Sequence, residues 1–221
     1  MNNIPKGQVE DFVAAAHRVA EYGLVFCGSG NLSRRVDDDC MLVTAAGSWM
    51  VSLSIDEVAV CRIADGATLN GKKPSKEIGF HTAILRERGD VNVVLHFQSP
   101  CATTLACREP QVENFFIIPE IPYYVGPVAL VPYLRPGSPE LAEAVTAAIR
   151  EHDLANLRNH GQVTVGRDFD GVIEKATYFE LACKIILGAG GDVQFLSREA
   201  VADLRRMGQS RRTLIKASGY Q

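Results

Sequence analysis

Metal chemistry needs two or more lone-pair donors held at a fixed spacing. Residues 91–99, Val-Asn-Val-Val-Leu-His-Phe-Gln-Ser, offer such a pair. The run is rich in β-branched and aromatic residues and reads as a strand that Ser99-Pro100 stops. Side chains alternate along a strand, so Val91, Val93, Leu95 and Phe97 face one way and Asn92, Val94, His96 and Gln98 the other. His96 and Gln98 therefore emerge side by side at the strand's end, where both can meet one cation. The same pattern also fits a core strand that merely finishes in polar residues.

Two further stretches could carry chemistry. Arg158-Asn-His-Gly161 lies between two expected strands, 154–157 and 162–165, and that junction can aim His160 into a cleft. Pro74-Ser-Lys-Glu77 precedes a helix expected from an N-cap at Ser75 to about Arg88, with Ile78, Ala83, Ile84 and Leu85 inward. Lys76 and Glu77 would then occupy the first turn, where free backbone N–H groups favour an anion. Lys76 opposes the helix dipole, and a local rule broken without structural benefit can mark a functional site. A solvated lysine and a dipole-partnered glutamate are the plain readings of the same pair. The loops Cys27-Gly-Ser-Gly-Asn31 and Ala45-Ala-Gly-Ser48 are rich in small residues; the first is either an anion cradle or a simple turn.

The elements that must position these residues follow from periodicity and punctuation. A helix is expected over 7–25 and strands over 32–36, 41–44 and 57–63, then a short helix over 99–107 and a strand over 113–118. The prolines of Pro119-Glu-Ile-Pro-Tyr-Tyr-Val125 argue against a regular element there. Residues 128–133 read as extended. Ser138 caps a helix with Pro139 at its first position, running to about His152. Asp170 caps a helix over 171–188, residues 193–196 close the sheet, and Ser197 caps a last helix before a loose tail at 217–221.

The chain has 221 residues, 47% hydrophobic and 22% charged, enough to bury a sizeable core. No Pro/Gly/Ser-rich linker interrupts it, so one domain is expected, with its core over about 8–200 and a C-terminal helix and tail over 197–221. A net charge of −3 excludes a nucleic-acid binder that relies on bulk charge. The late basic cluster of Arg205, Arg206, Arg211, Arg212 and Lys216 fits a solvated helix. The six cysteines form no C-x-x-C pair, and several sit in apolar company as free thiols. The polar opening and the lack of a membrane-length apolar run complete the expectation of a reduced, cytoplasmic protein without disulfides.

In order, Gly28-Ser-Gly-Asn-Leu-Ser33, Val43-Thr-Ala-Ala-Gly47, Pro74-Ser-Lys-Glu77, His96-Phe-Gln98, Pro132-Tyr133 with Gly137-Ser138, and Asn159-His-Gly161 resemble the class II aldolase/adducin head family over roughly residues 8–200. Within it the chain is most similar to the L-fuculose-phosphate aldolase branch. The resemblance implies an α/β fold: a mixed, largely antiparallel central sheet with helices on both faces, in three layers. It also implies a homotetramer with sites between subunits.

The family's metal site takes two histidines from a His-x-His strand end and one from a later His-Gly turn. His96 and His160 match the first and third, Gln98 replaces the second, and Glu77 matches a catalytic carboxylate that can also touch the metal. Zinc is the ion the resemblance favours. Gln98, neutral and harder than imidazole, would make other divalent ions more competitive. An anion pocket maps onto Gly30, Asn31, Thr44, Gly47, Ser75 and Lys76, and a proton-donating tyrosine from a neighbouring subunit onto Tyr123, with Tyr124 second. Tyr220 is a candidate to close over the site. His17, His81 and His152 fall on no ligand position and read as helix residues.

The implied activity is a metal-dependent aldolase that splits a ketose 1-phosphate into dihydroxyacetone phosphate and an aldehyde through an enediolate. A 4-epimerase, a dehydratase or a decarboxylase of a sugar acid phosphate would use the same site. An adducin-like binding module without catalysis is the alternative of another class.

Overall fold

The computed structural model describes residues 4–190 and 192–217, with side chains described up to residue 210. Tyr220 lies outside them. Among the described residues seven strands form one sheet: β1 (Asn31–Arg35), β2 (Cys40–Thr44), β3 (Val58–Arg62), β4 (Val93–Phe97), β5 (Val128–Val131), β6 (Leu154–Leu157) and β7 (Gly161–Gly166). Their order is β3-β2-β1-β4-β7-β6-β5, and every neighbouring pair is antiparallel except β5 with β6. The helices are α1 (Lys6–Glu21), α2 (Ile78–Glu87), α3 (Pro100–Ala106), α4 (Pro139–Glu151), α5 (Phe169–Gly188) and α6 (Arg198–Ala217).

The sheet is buried on both faces, and β4 shows how. Val93, Leu95 and Phe97 enter one core with Phe12 of α1, Leu105 of α3 and Phe179 of α5. Val94 enters a second core with Phe80 and Ile84 of α2 and Val145 and Ile149 of α4. A strand alternating between two apolar layers is what the sequence pattern of 91–97 requires. Val91 departs from that alternation: it precedes the strand and joins the second core. The result is the expected three-layer, mostly antiparallel architecture. Among the described residues no helix is long and apolar enough to cross a membrane, and the six cysteines are free.

The strand order places the chemistry. β1 and β7 begin, and β2, β4 and β6 end, at one end of the sheet, so the loops at 27–30, 45–48 and 158–160 gather there. Register fixes the detail, since Asn31 pairs with His96 and Leu157 with Gly161. Gly30 has a φ of +74°, and a Cβ on it would lie 2.7 Å from the His96 carbonyl oxygen, so only glycine allows β1 to start this close to β4.

Several expected boundaries shift, each for a local reason. Helix α1 ends at Glu21, because Leu24 and Val25 leave the helix to enter the core. Helix α2 begins at Ile78 rather than after Ser75, whose N–H is held by the Thr44 carbonyl at 3.1 Å; Glu77 takes the N-cap position. Helix α5 is capped by Asp168, whose carboxylate accepts from the Gly171 N–H at 2.7 Å, while Asp170 pairs with Arg18. Residues 113–118 and 193–196 join no sheet. Leu196 donates to the Phe116 carbonyl at 2.8 Å, and Phe115 packs on Phe179 instead of extending a ladder. Residues Ile121–Val125 form one turn of π-helix despite the prolines, because Pro122 lies in the first turn, where no intrahelical N–H is needed. The Ser138 and Ser197 caps stand as expected.

Candidate metal centre

Three elements bring the candidate ligands together. Glu77 closes the loop before α2, where its N–H donates to the Ser75 hydroxyl at 3.3 Å, and its carboxylate makes no cap bond. It turns towards the sheet instead. Oε2 lies 3.4 Å from His96 Nε2, at the end of β4, and Oε1 lies 3.5 Å from His160 Nε2, in the turn between β6 and β7. One ligand atom from each of the three lies within 4.8 Å of the others.

The His160 turn needs two special residues. Asn159 sits at φ +53°, a left-handed conformation that asparagine tolerates better than most residues. A Cβ on Gly161 would meet the Phe97 carbonyl oxygen at 2.6 Å, Gln98 Cγ at 2.7 Å and the His96 ring at 3.2 Å. Glycine there lets β7 approach β4 closely enough for the two imidazoles to sit 4.9 Å apart at 67°.

Protonation states follow from burial and partners. His96 Nδ1–H donates to the Gln162 carbonyl at 2.8 Å, which leaves the Nε2 lone pair facing Glu77. Burial, and then the neighbouring His96, hold the His160 imidazole down to about 4, against the opposing pull of Glu77. Glu77 Oε1 and His160 Nδ1 are buried without a hydrogen-bond partner among the described residues. A buried carboxylate oxygen without a donor is costly. A divalent cation would satisfy all three groups at once. The donor set, one carboxylate and two imidazoles, fits such an ion.

The remaining expected residues are placed as follows. Gln98 is half-buried against the His160–Gly161 turn, next along the β4 face from His96. Asn31 is buried and donates to Glu77 Oε2 at 2.9 Å. Thr44 and Ser75 are joined through their backbones, with the Thr44 hydroxyl accepting from the Leu32 N–H at 3.3 Å. Gly47 lies in the exposed turn after β2. Lys76 is exposed beside Glu77 and borders a cavity of about 480 Å³ that runs between α2 and α4.

Tyr123 is not brought to this cluster. It lines a cavity of about 620 Å³ with Tyr124, Val91 and Gly166, at the end of the sheet where β4 begins. His81, read as a helix residue, lies on α2 and reaches Glu77 through Asn31. Its ring is fully buried between Asn31 and Ser33, and burial, then His96, lower its pKa to about 3. The signal available in the sequence was its spacing, one helical turn from Glu77.

This fold and this cluster define a family. The Class II Aldolase and Adducin N-terminal domain matches residues 10–187, and the chain belongs to that family. A 3-oxo-tetronate 4-phosphate decarboxylase from Haemophilus influenzae is 34% identical over 206 residues, covering 91% of this chain and 98% of that one. An L-fuculose phosphate aldolase from Methanocaldococcus jannaschii is 29% identical over 178 residues, covering 80% and 94%. The crystal structure of YgbL from Klebsiella pneumoniae matches with a TM-score of 0.84 at 26% identity, covering 90% and 98%. The family expectation stands, and the chain is an enzyme of this superfamily with a candidate divalent-metal site. The particular likeness to L-fuculose-phosphate aldolase is outweighed by the likeness to the decarboxylase.

Proposed function

We propose that the protein is a divalent-metal-dependent decarboxylase of a four-carbon 3-oxo sugar acid bearing a terminal phosphate. The observation that carries this reading is the greater identity and coverage of the 3-oxo-tetronate 4-phosphate decarboxylase relative to the aldolase. The chemistry explains why one site serves both. Loss of carbon dioxide from such an acid breaks C1–C2 and leaves the electron pair in an enediolate spanning C2 and C3. A proton added at C2 then gives dihydroxyacetone phosphate. Aldol cleavage of a ketose 1-phosphate leaves the same enediolate and differs only in the fragment that departs.

A divalent ion, zinc or a competitor, held by Glu77, His96 and His160 with Gln98 adjacent, would supply a Lewis acid for the charge that builds on the carbonyl oxygen. Glu77 delivers to C2 a proton taken from solvent. Asn31, Thr44, Ser75 and the loops at Gly30 and Gly47 receive the phosphate end, and Lys76 adds a cation there. An ammonium on the departing carboxylate would stabilise the ground state more than the transition state, so the phosphate is the better partner for Lys76.

Tyr123 separates the two reactions. An aldehyde leaves only when its hydroxyl gives up a proton, whereas carbon dioxide leaves without one. Within one chain Tyr123 stands at the far end of the sheet from Glu77. Any part it plays is in a neighbouring copy's site, as in a homotetramer. The test is a panel assay with added divalent ion, scoring dihydroxyacetone phosphate from 3-oxo-tetronate 4-phosphates and from ketose 1-phosphates. Turnover of the acids, kept in Tyr123→Phe, is expected. Turnover of the ketose phosphates alone, lost in Tyr123→Phe, would restore the aldolase reading.

A further inference from the structure

Behind Glu77 runs a buried hydrogen-bonded chain that the expected ligand set does not use. Asn31 Nδ2 donates to Glu77 Oε2 at 2.9 Å, Asn31 Oδ1 meets His81 Nε2 at 2.6 Å, and His81 Nδ1 meets the Ser33 hydroxyl at 2.7 Å. Ser33 and His81 are fully buried, and Asn31 is 5% exposed. The sequence builds this directly. Asn31 and Ser33 are two apart on β1 and share a face, and His81 is one turn beyond Glu77 on the helix that covers that face.

We propose that Ser33, His81 and Asn31 are positioning residues for Glu77: they hold Oε2 as a permanent acceptor and so fix the orientation of its carboxylate. The inference rests on Glu77 being the proton-transfer group in the function proposed above.

The direction of the chain follows from one fact, that a carboxylate only accepts. Asn31 must therefore turn its NH₂ to Glu77 and its carbonyl oxygen to His81. His81 must donate from Nε2, so Nδ1 is bare and accepts from the Ser33 hydroxyl. The reverse tautomer would put a bare nitrogen against Asn31. It would flip the amide and set a carbonyl oxygen 2.9 Å from a carboxylate oxygen, two acceptors in contact. An asparagine alone has two nearly equivalent orientations. Glu77 fixes the amide, the amide fixes the His81 tautomer, and Ser33 supplies the matching donor to Nδ1. Held at Oε2, the carboxylate turns Oε1 towards His160 Nε2, 3.5 Å away.

Two measurements decide this. In the metal-free, full-length protein labelled with 15N-histidine, the NMR shifts of His81 near pH 7 should report a neutral ring protonated at Nε2. A ring protonated at Nδ1, or at both nitrogens, would overturn the proposal whatever the enzyme's substrate. In turnover assays, His81→Leu should lower kcat by ~10–100-fold with KM within about twofold. His81→Gln, which keeps a donor for Asn31 and an acceptor for Ser33, should recover most of that loss. Leu and Gln variants of equal activity, at matched thermal stability, would overturn the positioning role. A wild-type enzyme inactive on the sugar acid phosphates would count against the reaction alone, because the tautomer is measured without substrate.

Discussion

At the scale of single residues, Glu77 and Gln98 carry the chemistry in different ways. Glu77 has Oε2 tied to Asn31 and Oε1 turned towards His160, so its carboxylate is fixed where the two histidines meet. Glu77→Gln should lower kcat by ~10²–10⁴ while leaving the circular dichroism spectrum unchanged; an active variant would remove Glu77 from that role. Gln98 stands where a His-x-His strand end would place imidazole. Gln98→His should tighten zinc binding on the order of tenfold, measured by competition with a chromophoric chelator, and unchanged affinity would mean that position 98 contributes no ligand. These residues were legible because Pro74-Ser-Lys-Glu77 and His96-Phe-Gln98 stand in the order of the family's motifs. His81 was not, because a histidine amid Phe80, Ile84 and Leu85 has the look of core; only its partners across the sheet give it a task.

At the scale of elements, periodicity located the helices and the strands that build the site, and it failed where an apolar segment lacks a pairing partner. Residues 113–118 have strand composition, yet Phe115 packs against Phe179. Non-local pairing is not written in a local pattern. The same limit hid the charged junction at the far end of the sheet. There Lys175 donates to Asp153 at 2.7 Å and to the Val165 carbonyl at 2.8 Å, while Arg88 reaches Asp153 at 3.2 Å and Asp90 at 2.8 Å. Arg88 and Lys175 lie 65 and 22 residues from Asp153, and the three tie α5 and the end of α2 to the start of β6. Removing one member of a largely buried pair leaves the other without compensation, so Asp153→Ala should cost ~3–5 kcal/mol in urea unfolding. A loss within 1 kcal/mol, about the value of a surface pair, would show that solvent screens the junction.

At the scale of the whole molecule, two buried imidazoles link stability to pH. His81 is lowered to about 3 and His160 to about 4, both from 6.5. Between those values the unfolded chain binds more protons than the folded one, so stability rises with pH. The metal-free protein should therefore lose stability as pH falls below 6.5, by up to about 1.4 kcal/mol per pH unit for each histidine. The His160 share is exhausted near 4 and the His81 share near 3; above 6.5 neither contributes a slope. His81→Gln, followed by thermal melts in chelator, should flatten the curve through that window, and an unchanged slope would mean that His81 already titrates in the fold.

The account rests on Glu77, His96 and His160 meeting at one cation. Calorimetric titration of zinc into the metal-free protein tests this most directly. One ion per chain is expected in the wild type and none in His96→Ala/His160→Ala. No binding to the wild type, or undiminished binding to the double variant, would contradict it.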